Sequence, residues 1–437
     1  MLASMIHSIK GVKDILPGDI GRWQTIEATA RRLSTLFGFE EIRVPIFELT
    51  ELFARSIGTS TDIVEKEMYT FQDRDGKSLT LRPEGTAGVV RAYIEHNLSA
   101  APTAQKLYYL GPMFRHERPQ AGRLRQFHQY GVESFGSSSP LADVEVIALL
   151  WRVLTSLQLP GLALEINNLG SGDDRPAYTA VLVDFLTQQK HRLCPNCVRR
   201  METNPLRVLD CKTPACREAT EGAPKITDHL SPASQRHFSD VLSGLSDLGI
   251  AYTLNPRLVR GLDYYTLTAF EVTSRHLGAQ NAVGAGGRYD GLVELLGGPK
   301  TPAVGFAVGI ERVSLMLPES VVPAPSTPVY VAAFGPQGLP AGMRVLHELR
   351  SYGIAADTDY RAATLKAQLR QADRLGAVFV LIIGDDEATK GYALLRNMTT
   401  KQQEELPIRS AAATVSTRAG SNKFSPYFPV DKEARNE

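Results

Sequence analysis

The residues of this chain best suited to chemistry are a carboxylate in a tight turn and an arginine beside paired tyrosines. Glu84 lies in Thr80-Leu-Arg-Pro-Glu-Gly-Thr86, and Arg260 opens Arg260-Gly-Leu-Asp-Tyr-Tyr265. Together they could clamp a small zwitterion. The carboxylate suits an ammonium, the guanidinium a carboxylate or phosphate, and the phenols of Tyr264 and Tyr265 a polar ring. Between them, Phe114-Arg-His-Glu117 opens a loop holding Arg118, Arg123 and Arg125, too charged to be core.

Two strands, Leu107–Arg115 and Phe127–Phe135, should flank that loop. Side chains on a strand alternate faces, so Phe127, Gln129, Gly131, Glu133 and Phe135 share one. A buried sheet face is normally apolar, so Gln129 and Glu133 need partners. The face is either solvated or a substrate platform, with Gly131 leaving room and Phe127 offering a flat surface.

Elsewhere, helical spacing predicts helices near 20–37 and 144–157. Ile42, Val44 and Ile46 alternate around Pro45, which predicts an edge strand or one that meets another subunit. Strands follow at 162–166, 252–254 and 270–273. Gly284-Ala-Gly-Gly287 reads as a β-turn with close backbone packing, then a helix at 306–317. Residues 171–235 break into shorter Cys- and Pro-bearing pieces, an inserted subdomain. A proline-rich linker at 318–328 precedes strands near 329–334 and 378–383 and helices near 339–351 and 364–375, a compact α/β domain. From 410 to 437 the chain reads as an irregular tail.

The chain has 437 residues, with 48 Lys plus Arg against 47 Asp plus Glu, a net charge of +1. Bulk charge therefore announces no nucleic-acid partner, and such a site must be a local basic patch. Lys366, Arg370 and Arg374 form one stripe, although a solvated face is the usual cause of that spacing. No apolar run approaches the ~20 residues of a membrane span, and no secretory signal opens the chain. A cytoplasmic location follows by default. The cysteines are Cys194, Cys197, Cys211 and Cys216. Such clustering in a cytosolic protein argues for metal before disulfides, and suits a closed tetrahedral zinc site or four reduced thiols.

Taken in order, these motifs resemble those of histidyl-tRNA synthetases, a family of class II aminoacyl-tRNA synthetases. Phe114-Arg-His-Glu117, its loop and Phe127 resemble the second class II motif, and Gly305-Phe-Ala-Val-Gly-Ile-Glu-Arg312 the third, whose small residues would let a helix pack close to the sheet. Leu258-Val-Arg-Gly-Leu-Asp-Tyr-Tyr265 and Ala285-Gly-Gly-Arg-Tyr-Asp-Gly291 are similar to the two histidine-specific motifs.

The resemblance implies an α+β class II catalytic core on an antiparallel sheet (1–320, interrupted at 171–235) and an α/β anticodon-binding domain (329–409). It implies a homodimer with Pro45 at the interface. The implied reaction is ATP-dependent ligation of histidine to tRNA(His) through an adenylate, with Mg²⁺ on the phosphates. Arg115 and Arg260 would be catalytic, flanking the α-phosphate and the bound histidine. Glu84, Gly85, Thr86, Gln129 and Glu133 would hold the amino group and imidazole, with Tyr264 and Tyr265 at the border and Arg288 and Tyr289 as floor. Glu117, Arg123, Phe127 and Arg312 would join Arg115 on ATP. The zinc, if bound, would sit away from this pocket. A catalytically dead relative, the regulatory subunit of ATP phosphoribosyltransferase, lacks the C-terminal domain and the catalytic arginines that this chain keeps.

Overall fold

The computed structural model describes residues 5–418 except 59, 60, 62, 102, 263, 279, 280, 324–327 and 362. The chain divides into two units, Met1–Val322 and Pro323–Glu437. The linker prediction falls across this division, and residues 324–327 lie outside those described.

In the first unit, β1 (Glu40–Glu41) is followed by β2 (Phe47–Leu49), β3 (Tyr69–Gln72) and β4 (Ser78–Leu81). The last three form a small sheet in the order β2-β4-β3. Then come β5 (Gln105–Phe114), β6 (Gln126–Phe135), β7 (Leu162–Asn168), β8 (Tyr252–Leu254), β9 (Thr266–Ser274), β10 (Ala282–Arg288) and β11 (Ala303–Gly309). With β1 they build one large sheet, ordered β1-β5-β6-β11-β10-β9-β7-β8. Its inner pairs are antiparallel, and the edge pairs β1–β5 and β7–β8 are parallel.

Strand alternation gives the sheet two different faces, and both bury apolar groups: Leu107, Tyr109, Met113 and Phe135 join one core with Val89, Val90 and Tyr93 of helix Thr86–Glu95. Tyr130 and Val132 of β6, Phe270 of β9 and Phe306 of β11 point into a core built with three helices. Those helices are Pro17–Leu36, Pro140–Ser156 and Pro232–Asp247. Each has proline in its first turn, where the missing N–H costs no bond. The first buries Trp23, Ile26, Ala30 and Leu33, one side of a 3.6-residue period. Its Ser34 hydroxyl meets Tyr130 Oη at 2.8 Å, which satisfies both groups inside the core.

Several expectations need correction. Residues 42–46 form no strand. They are pinned at their ends, by Ile42 N–H donating to Tyr108 O at 2.8 Å and Arg82 N–H to Ile46 O at 2.8 Å. Between those points the Arg82 guanidinium, not a ladder, serves Val44 O at 2.8 Å. Gly284–Gly287 is no turn but part of β10, paired on both sides. Close backbone packing is its reason for glycine: a Cβ on Gly286 would lie 2.1 Å from Gly305 O. The helix placed at 306–317 spans Ile310–Met316, because Ala303–Gly309 is a sheet strand whose small residues serve the sheet.

The insertion is helical, with Asp174–Gln188, Pro195–Thr203 and Pro214–Ala219. It has a core of its own in Tyr178, Leu182, Leu186, Met201 and Val208, with Cys197 and Cys216. The boundary drawn at 235 falls inside helix Pro232–Asp247, whose Phe238, Val241 and Leu245 belong to the main core.

In the second unit, β12 (Val329–Ala333), β13 (Ala356–Thr358), β14 (Phe379–Ile383), β15 (Tyr392–Asn397) and β16 (Gln403–Pro407) form a sheet ordered β13-β12-β14-β15-β16. Its first three strands are parallel and the rest antiparallel. Helices Gly338–Ser351 and Leu365–Arg374 flank it. The predicted irregular tail begins instead as helix Ile408–Arg418, because Ala411, Ala412 and Val415 pack against Val345 and Leu349. Residues 419–437 lie outside those described.

Candidate active site

A cleft of about 280 Å³ opens on the face of the large sheet opposite helices Pro17–Leu36, Pro140–Ser156 and Pro232–Asp247. Strand β6 supplies Phe127, Gln129 and Glu133, and β11 runs beside it with Gly305 opposite Glu133. That register matters, since a Cβ on Gly305 would stand 2.0 Å from Glu133 Oε2. Bare backbone is what lets the carboxylate lie over β11.

Glu133 is held at both oxygens. Thr86 Oγ1 donates to its Oε1 at 2.7 Å, and Tyr289 Oη donates to its Oε2. Burial nevertheless pushes its pKa up to about 8, the two donors hold it back, and the nearby Glu84 charge adds to the rise. Gln129 Oε1, on the same face, is buried with no protein partner. A buried acceptor left in that state beside a cleft is a place for a ligand's donor.

Glu84 is not simply a free carboxylate. Its oxygens accept from Thr86 N at 2.7 Å and Ala87 N at 2.8 Å, covering the first turn of helix Thr86–Glu95. Burial raises its pKa, opposed by those N–H groups and by Arg115. It still lines the cleft with Thr86. Gly85 lies just outside the lining, and a Cβ there would meet the Tyr109 ring at 2.3 Å.

Arg115 and Arg260 both line the cleft. Arg115 Nε donates to Pro83 O at 2.8 Å, and its guanidinium lies 5.2 Å from the Phe127 ring centroid. Arg260 is held by Glu271 Oε2 at 3.3 Å and lies 5.3 Å from the Tyr265 ring. Its Nε is buried without a partner. Burial pulls the Arg260 pKa down, but Tyr265 and Glu271 more than offset it, so the group stays cationic. Tyr264 and Tyr265 lie against each other at 4.7 Å. Glu117, Arg123 and Arg312 complete the wall, with Arg123 Nη1 3.4 Å from Glu117 Oε2. Arg312 also donates to Ala282 O.

Two residues sequence reasoning passed over also line the cleft, Glu271 and Glu311. Glu311 accepts from His128 N–H at 2.9 Å and so fixes the backbone beside Phe127. Glu271 was detectable as the lone carboxylate in Thr266–Ser274, an otherwise uncharged strand. The expected floor divides. Tyr289 reaches Glu133, whereas Arg288 turns into the core and pairs with Asp143 of helix Pro140–Ser156. A buried carboxylate was needed there to neutralise it.

The four cysteines lie outside the cleft, with their sulfurs all within 4.8 Å of one another. Their isolation is less than expected. Cys211 lines a second cavity, of about 590 Å³, that shares Arg123, Arg260, Glu271 and Ala282 with the cleft. Among the described residues no helix is long and apolar enough to cross a membrane.

A largely antiparallel sheet with helices on one face, and fixed arginines beside buried carboxylates on the other, is a class II aminoacyl-tRNA synthetase core. The histidyl-tRNA synthetase family model matches residues 11–173 and 200–313, and an anticodon-binding-domain model matches 328–418. The histidine–tRNA ligase of Desulfatibacillum aliphaticivorans is 51% identical over 409 residues, covering 92% of this chain and 97% of that protein. That of Thermodesulfovibrio yellowstonii is 52% identical over 401 residues, covering 92% and 96%. The crystal structure of apo S. aureus histidyl-tRNA synthetase superposes with a TM-score of 0.80 at 40% identity, covering 94% of this chain and all of that one. The chain belongs to the histidyl-tRNA synthetase family.

Proposed function

We propose that this cleft activates L-histidine with ATP and passes it to the 3′ end of tRNA(His). The reaction is the general class II sequence. The histidine carboxylate attacks the α-phosphorus, the bond to the bridging oxygen breaks, and pyrophosphate leaves. A ribose hydroxyl of the terminal adenosine then attacks the acyl carbon and releases AMP. No protein nucleophile is needed, so the chain contributes positioning and fixed charge. ATP is the family's substrate, generally with Mg²⁺.

The observation that carries this reading is the joint presence of Arg115 and Arg260 with Glu84, Gln129 and Glu133 around one cleft. The two guanidiniums stabilise charge as it develops on the α-phosphate. Glu84 and Thr86 take the α-amino group, Gln129 and Glu133 the imidazole, and Tyr264 and Tyr265 close the border. Phe127 offers its ring to adenine, Glu117 contacts the adenine end, and Arg123 and Arg312 reach the outer phosphates. Glu271 orients Arg260 before substrate arrives.

Three further assignments go with this. The unit from Pro323 onward reads the anticodon, with Lys366, Arg370 and Arg374 as one basic face. The enzyme works in the cytoplasm as a homodimer. The dimer reading is supported by Ile46, Phe47, Leu49 and Phe71, which leave an exposed apolar patch at and beside the small sheet next to Pro45. The four cysteines hold one Zn²⁺ as a closed structural site, supported by their number and by the mutual approach of their sulfurs.

Amino-acid-dependent pyrophosphate exchange tests the central assignment. Histidine alone among the amino acids should stimulate it. Arg260→Ala should cut the rate by about a hundredfold, the scale for losing one preorganised donor, with histidine affinity nearly intact. Exchange near the wild-type rate would remove Arg260 from the mechanism. Light scattering at low micromolar concentration tests the assembly, and a stable active monomer would refute it.

A further inference from the structure

Arg260 belongs to no helix or strand. Residues 255–265 join β8 to β9, and Asn167 on β7 anchors their first half by donating to Leu258 O at 2.9 Å. The insertion contributes further anchors. Arg207 Nη1 donates to Gly261 O, the carbonyl just past Arg260, at 3.1 Å. Arg257 Nη2 reaches the other way, to Arg217 O at 3.0 Å. Arg175, in helix Asp174–Gln188, donates to Tyr265 O. Two of these ties run to the cysteine-bearing arm. Arg207 precedes Cys211, whose N–H bonds Val208 O at 3.2 Å, and Arg217 directly follows Cys216. Drawing the four sulfurs together therefore fixes Arg207 and Arg217 relative to each other.

A loop-borne guanidinium has no ladder to hold it, and transition-state stabilisation demands sub-ångström placement. We propose that Arg207 is a positioning residue for Arg260, so that the four-cysteine arm sets the Arg260 guanidinium in place through the Arg207–Gly261 contact. This rests on the catalytic role assigned to Arg260. Arg207 does not line the cleft. It acts on the rate through a backbone carbonyl, and the second tie from Arg257 keeps the arm and loop moving as one.

The test is steady-state pyrophosphate exchange by the full chain. Arg207→Met should lower kcat by about tenfold to a hundredfold, the effect of a misplacement near 1 Å, with the KM values for histidine and ATP nearly unchanged. Arg207→Lys keeps a donor and should recover most of the rate. Arg207→Met should add no further loss on an Arg260→Ala background, because both changes then remove one contribution. Arg257→Met, which cuts the second tie, should show the same split between kcat and KM if Arg207→Met folds poorly.

A near wild-type rate for Arg260→Ala would sink the catalytic reading itself. A slow Arg260→Ala beside a fully active Arg207→Met would overturn only the positioning role. So would losses that multiply in the double variant, a Lys variant no better than Met, or a change confined to KM.

Discussion

Thr86 Oγ1 donates to Glu133 Oε1 at 2.7 Å, tying the first turn of helix Thr86–Glu95 to the middle of the sheet. The hydroxyl that holds the carboxylate stands two residues from Glu84, so the two buried acids of the cleft are mechanically one unit. Four expectations follow from this arrangement and its surroundings.

Glu133 should make the ligand-free protein less stable as pH rises. Its folded pKa, raised by burial to about 8, exceeds the ordinary glutamate value of 4.5. Between those values the folded state keeps a proton that the unfolded chain has released. Its contribution is thus fully present below 4.5 and lost as pH climbs through about 8. Urea midpoints measured from pH 5 to 9 should fall for the wild type and fall less for Glu133→Gln. Parallel curves would show that Glu133 is ionised in the free enzyme.

Glu84 has two duties, and substitutions should separate them. Glu84→Gln keeps an oxygen for one of the two helix N–H groups, leaves the other facing an amide NH2, and loses the charge for an ammonium. The KM for histidine should rise about tenfold, as for loss of a charged hydrogen bond, with a smaller drop in melting temperature than Glu84→Ala gives. Glu84→Ala should show that defect and also lose ~1 kcal/mol or more of stability, from uncovering the helix start. An unchanged KM in Glu84→Gln would leave Glu84 as a cap alone.

Chain purified without chelator should contain one zinc, and stripping the metal or introducing Cys211→Ser should slow both exchange and charging. Exchange is affected because Cys211 lies on the arm tied to the Arg260 loop and borders the adjoining cavity. Elemental analysis decides the first part. Less than about 0.2 ions per chain, against the single ion of a filled tetrahedral site, would leave four reduced thiols. Unchanged exchange in metal-free protein would separate the cluster from activation.

Asp143 should be among the costliest single positions for stability. It and Arg288 have no exposed side-chain surface, and His237 Nε2 lies 3.5 Å from the same carboxylate. Burial pushes the Asp143 pKa up, but the nearby His237 ring and the Arg288 hydrogen bonds more than reverse this and hold it low. Asp143→Asn leaves the buried guanidinium with only the partly exposed Asp290 as counter-charge and should cost ~3–5 kcal/mol. Denaturant unfolding measures it. Joining Asp143→Asn to Arg288→Met should restore part of the loss, since the buried guanidinium is gone, while Asp290 gives up its partner.

Much of this site was legible in the sequence because strand periodicity is simple. Alternation alone put Phe127, Gln129 and Glu133 on one face of the cleft, and the motif order supplied Arg115, Arg260 and Arg312, whereas the room expected over Gly131 is taken by the Tyr109 ring. Legibility failed where a neighbour decides the outcome. Gly284–Gly287 looks like a turn in isolation, and only the approach of Gly305 O shows why a central strand would carry glycines. Arg288 and Tyr289 are adjacent in sequence, yet one pairs with a helix acid and the other with Glu133. Nothing local announces that divergence. The tie from Arg207 to Gly261 joins segments far apart in sequence, and no spacing rule could have found it.

Gly305 and Gly286 also bear on how this gene can change. Every single-base change in a glycine codon that replaces the residue adds at least a methyl group. At Gly305 that methyl would collide with the carboxylate of Glu133, and at Gly286 with the backbone of β11. Neither position has a conservative neighbour in the genetic code. The cleft at Gly305, and the strand packing beneath it at Gly286, are therefore closed to gradual drift, and variation in substrate preference must enter through the cleft's walls.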